Sequence, residues 1–338
     1  MVLAIPQTEK GAVPWENMLT DLDCPVIYLD GKMNTQDKCS TMDILLEKHS
    51  IDLIHIHFGM WLTIFWKYRN RWPKVKILVH DHMDYGVDVL MQKQIVMQWI
   101  RGGIYRLKGI GVISVMKRKS RGYFLCGKKN WYVPNAISFT RNVEQSLSRE
   151  QIRKNLGIAE NEKWCMLLGW DMKRKGIDVA VKAVQQCRLQ GENVILGIVG
   201  LGENPSVQSK QEILINTGIS PEEPWIRYFP STEDMYSYHR AADVYLSASR
   251  KEAFSYGILE AISQNIPAAV SDIPGTQWAG KYSKCKLFAN EDVQECTQAI
   301  LACLQLGMVD SNYEQITEEH HVENWCKEIT EKYMLMMK

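Results

Sequence analysis

Two carboxylates, Glu252 and Glu260, stand eight residues apart in the stretch Tyr245–Thr276. Between them Phe254-Ser-Tyr-Gly257 opens an apolar-periodic helix, with Ser255 placed to cap its first turn. A short apolar strand ending at Ser247–Ser249 precedes them, and a second buried strand, Pro267–Ser271, follows with the Gly-containing turn Ile273–Thr276. In open α/β sheets ligands bind at the carboxyl ends of the strands, where both carboxylates are expected. The free amides and positive dipole end of the helix at Phe254, Ser255, Tyr256 and Gly257 would receive an anion, most naturally a phosphate.

A second set of chemical groups follows the buried strand Trp164–Gly169: Lys173, Arg174, Lys175 and Gly176, leading into the helix Ile177–Gln190. Gly200-Leu-Gly202 ends another strand, and glycines there let backbone approach a ligand closely. No third glycine follows at the spacing of a dinucleotide fingerprint. His80 ends the strand Lys76–His80, a position more often structural when read by itself. His55 and His57 share one face of the strand Ile51–Phe58. A metal set with His80 and His82 is one reading of them. The simpler reading makes them core residues hydrogen-bonded to backbone, and no metal site is expected.

Together, the spacing of Glu252 and Glu260, Phe254, Gly257, Glu260-Ala261, Pro267, Ser271-Asp272 and Gly275 resemble the donor-site motif of the retaining family-4 glycosyltransferases. The bland alternative is an ordinary βαβ unit with solvated glutamates. The resemblance implies that Glu260 holds the donor ribose and Glu252 the sugar hydroxyls. It implies that Arg174 and Lys175 hold the diphosphate, with Gly200 and Gly202 beside the donor and His80 near the reacting centre. Fixed cations stabilise the negative charge that develops as a nucleotide diphosphate leaves. Two positions depart from the family's pattern: Trp170 stands where an Arg is usual, with Lys173 or Arg174 as substitutes, and Ala136 replaces a Gly in Val133-Pro-Asn-Ala-Ile137.

The elements that must position these groups alternate strand and helix, which predicts parallel sheets of right-handed βαβ units. The resemblance implies the GT-B architecture: two Rossmann-like domains with parallel sheets facing a central cleft. The expected boundaries are residues 1–140 for an acceptor-side domain and 141–318 for the nucleotide-sugar domain. Residues 319–338 are expected as a helix crossing back to the first domain, anchored by Trp325 and Tyr333.

At 338 residues, 46% hydrophobic and 23% charged, the chain has the composition of a soluble globular protein with room for two cores. No apolar run is long enough to span a membrane, and Met1–Pro6 reads as a first strand rather than a leader. Nine scattered cysteines, never in CxxC spacing, argue for reduced thiols in a cytoplasmic protein. Residues 60–131 carry fifteen Lys and Arg against three Asp, a net +12 in a chain whose total is +1. That face suits an anionic lipid surface, which points to peripheral contact with the inner side of a membrane; no nucleic-acid module accompanies the charge.

The implied activity moves a sugar from a nucleotide-diphosphate donor to a saccharide or lipid-linked acceptor with retention, in polysaccharide or glycolipid synthesis and without metal or other cofactor. A catalytically silent nucleotide-binding subunit, a nucleotide-sugar epimerase on the same fold and a membrane-bound structural protein are the alternatives.

Overall fold

The computed structural model describes residues 1–6, 22–30, 33–57, 71–82, 103–104, 106–117, 129–138, 147–169, 171–307 and 313–338. Most of the expected helices Trp61–Trp72 and Val87–Leu107, most of the basic region 60–131, most of the linker Ile137–Leu147, and Trp170 lie outside them.

The N-terminal half opens with a parallel pair, β1 (Leu3–Pro6) and β2 (Val26–Leu29). Helix α1 (Thr35–His49) starts a turn and a half before the expected Thr41, because the Asn34 side chain accepts hydrogen bonds from the Gln36 and Asp37 amides. A four-stranded parallel sheet follows in the order β3 (Leu53–His57), β4 (Lys76–Asp81), β5 (Ile110–Ser114), β6 (Asn130–Tyr132). Strand β5 is buried throughout and β4 from Ile77 onward, as central parallel strands require, although β4 ends in the buried polar pair His80-Asp81.

Six parallel strands make the second sheet: β7 (Lys163–Leu168), β8 (Val194–Val199), β9 (Ile226–Phe229), β10 (Val244–Ser247), β11 (Ala268–Asp272) and β12 (Cys285–Ala289). Their spatial order is β12-β11-β10-β7-β8-β9. The chain therefore lays β7, β8 and β9 outward in one direction, then returns to place β10 beside β7 and continues the other way. The point of reversal lies between β7 and β10, and the loops leaving those two strands frame the binding crevice of such a sheet. Sequence periodicity misses β12, a five-residue edge strand whose two buried residues, Cys285 and Phe288, stand three apart and so give no period of two.

Helices α2 (Arg149–Asn155), α3 (Ile177–Leu189), α4 (Val207–Thr217), α5 (Met235–Ala241), α6 (Tyr256–Ser263) and α7 (Val293–Leu306) connect or flank these strands. A capping box between Ser148 and Gln151 starts α2, and buried Arg153 ties it to the sheet through Asp243, 3.0 Å away. Helix α8 (Tyr313–His320), also missed by periodicity, precedes α9 (Val322–Met337). Ile329 and Met336 of α9 are buried against Leu78, Ile113 and Val133 of the first half, with Trp325 and Tyr333 packed beside them. Backbone hydrogen bonds from Ile137 to His320 and from Val322 to Ile137 pin that crossing.

Candidate active site

Lys175 lies on the loop leaving β7, and Glu252 on the loop leaving β10. The neighbouring strands bring them together: Lys175 Nζ is 2.5 Å from Glu252 Oε1, with the two side chains only 12% and 11% exposed. Arg174 reaches the same oxygen at 3.4 Å, and the Ser249 hydroxyl donates to it at 3.0 Å. Of the two substitutes for the missing Arg, the cluster therefore contains Arg174. Lys173 contributes its carbonyl, which accepts from Arg250.

Backbone geometry holds this loop against the next. Asp171 caps it, accepting from the Arg174 amide at 3.1 Å and from Arg174 Nε at 3.2 Å. Gly176 adopts φ +64°, and a Cβ there would lie 2.0 Å from the Ala248 carbonyl oxygen. Across the same junction Arg250 forms a fork on Asp178, at 2.8 and 2.9 Å, and bonds Glu291 at 2.6 Å. Those carboxylates raise the Arg250 pKa further above its ordinary value, with the Asp178 hydrogen bond contributing most. On the far side, a Cβ on Gly275 would lie 1.8 Å from the Glu252 carbonyl oxygen, so the Ile273–Thr276 turn packs directly against the glutamate's backbone. Thr276 closes that turn by donating to the Ser271 carbonyl at 2.5 Å.

Glu260 sits on the second turn of α6 rather than in the loop, with its side chain 31% exposed. Its carboxylate is 3.3 Å from Nε2 of His239, a residue of α5 with no exposed surface. Buried Tyr245 lies near both glutamates. Burial first, then the Glu252 and Glu260 charges, push its phenol well above the usual range, so it remains a proton donor. Gly257 faces that phenol so closely that a Cβ would stand 2.2 Å from the oxygen.

Ser255 occupies the N-cap position of α6, yet its hydroxyl makes no capping bond and engages Tyr245 instead. The capping expected from sequence is thus corrected: no side chain caps the first-turn amides. The Phe254 ring stacks on Trp278, centroids 4.5 Å apart, and is buried there. Tyr256 is the more exposed aromatic at this turn, at 46%. Gly200 and Gly202 follow β8 with φ of +108° and +78°, a turn open to glycine in particular.

His80 belongs to a different neighbourhood. It is fully buried in β4, its ring 4.2 Å from that of His82 and 5.9 Å from Trp325. No described contact links it to the Glu252 group. The expectation of backbone partners for the strand histidines also fails. His55 Nδ1 shares a 2.7 Å hydrogen bond with the Tyr333 hydroxyl, and His57 Nδ1 one of 2.9 Å with His82 Nε2. Both ring nitrogens of His80 and Nε2 of His55 are buried without a hydrogen-bond partner, a cost of about 1–3 kcal/mol each. Burial, then the neighbouring imidazoles, lower His55 to about 3, His80 to about 2 and His82 to about 4.

Sequence reasoning missed Ser249, Arg250, Asp178, Tyr245 and His239. Only Ser249 and Arg250 carry a local signal, standing three and two residues before Glu252 on the same loop. Asp178 lies in the first turn of α3 and His239 on α5, and only the packing of those helices beside Arg250 and α6 shows their part in the site.

This arrangement of a parallel sheet, a reversal point and a cation–carboxylate cluster has the GT-B fold. HepE of Anabaena, solved in complex with UDP and glucose, matches it with a TM-score of 0.79 at 14% identity, covering 98% of this chain and 91% of that one. Among curated proteins, the alpha-monoglucosyldiacylglycerol synthase of Streptococcus pneumoniae is 22% identical over 313 residues, 86% of this chain and 68% of that protein. The lipopolysaccharide glucosyltransferase WaaG of Escherichia coli is 27% identical over 129 residues, 38% of this chain and 33% of that protein. The family described as Glycosyl transferases group 1 matches residues 148–319, just over half of the chain. The protein belongs to that family and is a glycosyltransferase of group 1.

Proposed function

We propose that the protein transfers a sugar from a nucleotide-diphosphate donor to a lipid or lipid-linked saccharide, with retention of anomeric configuration. The observation that carries this reading is the convergence of Arg174, Lys175 and Ser249 on Glu252 beside the reversal point of the sheet. Arg174 and Lys175 bind the diphosphate, Glu252 accepts from the sugar hydroxyls, and Glu260 accepts from the ribose. The uncapped amides of Tyr256 and Gly257 and the Gly200–Gly202 turn flank the donor. In the transfer, the bond from the anomeric carbon to the diphosphate oxygen breaks as the acceptor oxygen bonds that carbon from the same face. The acceptor proton passes to the departing phosphate oxygen. No metal enters this step. His80 is buried beside Trp325, so we assign it to the histidine cluster rather than to the reacting centre.

The acceptor class rests on the names of the two curated relatives, one a glycolipid synthase and the other a lipopolysaccharide glucosyltransferase. The basic stretch 60–131 is proposed as the surface that meets anionic lipid. No helix among the described residues is long and apolar enough to cross a membrane.

The test is a thermal-shift screen with UDP, GDP and ADP, followed by turnover of the matching sugar nucleotide with and without acceptor. A nucleotide at a hundredfold its Kd adds about 2.7 kcal/mol to stability. One nucleotide is expected to raise Tm, and the product is expected to keep the donor's anomeric configuration by NMR. Absence of any shift sinks the reading. Interconversion of the donor sugar without acceptor identifies an epimerase instead.

His239 is expected to act through Glu260. His239→Gln raises the donor KM about tenfold, equivalent to ~1.4 kcal/mol of lost ribose binding, with kcat within about twofold of wild type. A fall in kcat as large as the fall in kcat/KM would remove this positioning role.

A further inference from the structure

The sequence contains His-x-His twice, as His55-Ile-His57 in β3 and His80-Asp-His82 at the end of β4. A period of two puts the members of each pair on one face of their strand. The parallel register sets His57 directly beside His80, and neighbouring strands lie about 4.8 Å apart. Four rings therefore meet in one cluster, with centroids 4.5 Å apart for His55 and His57, 5.0 Å for His57 and His80, and 5.3 Å for His55 and His80. One ring nitrogen from each of His55, His57 and His80 lies within 4.8 Å of the other two.

The hydrogen bonding of His55 and His80 is that of ligands awaiting a partner, whereas His57 Nδ1 shares its hydrogen bond with His82 Nε2 and would exchange that bond for a metal ion. His80 has both nitrogens buried and unpartnered, and His55 has Nε2 so. His55 Nδ1 is bonded to the Tyr333 hydroxyl; with the proton on Nδ1, Nε2 keeps its lone pair. An oriented imidazole of this kind is how proteins hold a histidine toward a metal.

We propose that His55, His57 and His80 bind one divalent transition-metal ion of the zinc, cobalt and nickel kind, with Tyr333 orienting His55. Imidazole suits these ions, whereas Mg2+ and Ca2+ call for oxygen donors. A tetrahedral site holds its donors about 3.4 Å apart around an ion at about 2.0–2.1 Å, which the exposed His57 reaches by turning inward. His57 also supplies the way in. The ion would tie β3 and β4 to the helix Val322–Met337, which carries both Tyr333 and Trp325. This site is separate from the Glu252 cluster, and the inference does not depend on the sugar-transfer reading.

The test uses the full chain, stripped with a chelator, dialysed and titrated with Co2+. A single Co2+ per chain is expected, with visible d–d absorption of a nitrogen-rich site that Zn2+ displaces. Zn2+ raises Tm and Mg2+ does not. Tyr333→Phe keeps the ring and weakens Co2+ binding about 10–100-fold. His55→Ala and His80→Ala abolish it, and Cys326→Ser, at an exposed thiol, leaves it unchanged. Should a histidine variant fail to fold, the wild-type stoichiometry and Tyr333→Phe decide the matter. Absence of Co2+ binding, thiolate-to-cobalt charge-transfer bands, or binding unchanged in both Tyr333→Phe and His80→Ala would overturn the proposal.

Discussion

Replacing Lys175 with Ala is expected to lower kcat by about two to three orders of magnitude while the protein stays folded. Its ammonium group, on the loop leaving β7, stands 2.5 Å from Glu252, where on the proposed reading a departing diphosphate gathers charge. A donor aimed at charge that develops only in the transition state acts on kcat, and the donor KM should move far less. Stability changes little because Glu252 keeps two partners, Arg174 at 3.4 Å and Ser249 at 3.0 Å. The lost ion pair costs about 1–2 kcal/mol. Steady-state kinetics with the identified donor, alongside Tm, check both halves of this expectation. An unfolded variant, or one with wild-type kcat, would refute the role. Lys175→Arg should recover part of the rate, since it restores the charge on a differently shaped head group.

Gly176→Ala is expected to be the most damaging small substitution in the site. Its φ of +64° strains any L side chain, and the added Cβ would meet the Ala248 carbonyl oxygen at 2.0 Å. That neighbour is backbone at the end of β10, so no rotamer change relieves the contact. The loop leaving β7 must move away from β10, at about 3 kcal/mol or more in stability. Lys175 moves with it, and a displacement near 1 Å costs roughly a further hundredfold in rate. Urea denaturation and kcat/KM on the folded fraction measure the two effects separately. Serine at the neighbouring position of the cap, Asp171→Ser, serves as a milder comparison, because it can still accept from the Arg174 amide. A Gly176→Ala protein with wild-type stability would show that the close approach of the two loops is not maintained in solution.

The donor-side elements are legible in the chain because each depends on a local pattern. Strand β8 and helices α7 and α9 fall on the residues that periodicity marks. Glu252 and Glu260 in one βαβ unit, and Lys175-Gly176 in another, stand out by their resemblance to the family's motifs, each of which lies within a few turns of chain. The elements that escape reading are those whose pattern is weak for a physical reason. Edge strand β12 buries Cys285 and Phe288, three residues apart, and so shows no period of two, and Asn34 starts α1 with a polar first turn that no apolar period reveals.

Local chemistry was misjudged where a side chain had a choice of partners. Ser255 has the right residue type for an N-cap, but Tyr245, from a strand ten residues earlier, takes its hydroxyl. The strand histidines have ordinary backbone partners in reach by type, yet their bonds go to Tyr333 and His82. Both outcomes depend on which elements are neighbours, and that information is absent from any short window of sequence.

By itself, then, the sequence marked most of the strands and helices by their periodicity, and it carried the residues, Glu252, Glu260 and Lys175-Gly176, on which the resemblance to the family rests. Only the tertiary structure decided that β7 and β10 lie side by side, so that Lys175 meets Glu252 across 77 residues of chain. It likewise decided that Arg250 bridges to Asp178, that His239 backs Glu260, and that His57 faces His80. Strand order and register are long-range choices made by burying apolar faces together, and a shift of one residue in the register of β3 on β4 would turn His57 away from the face that His80 occupies.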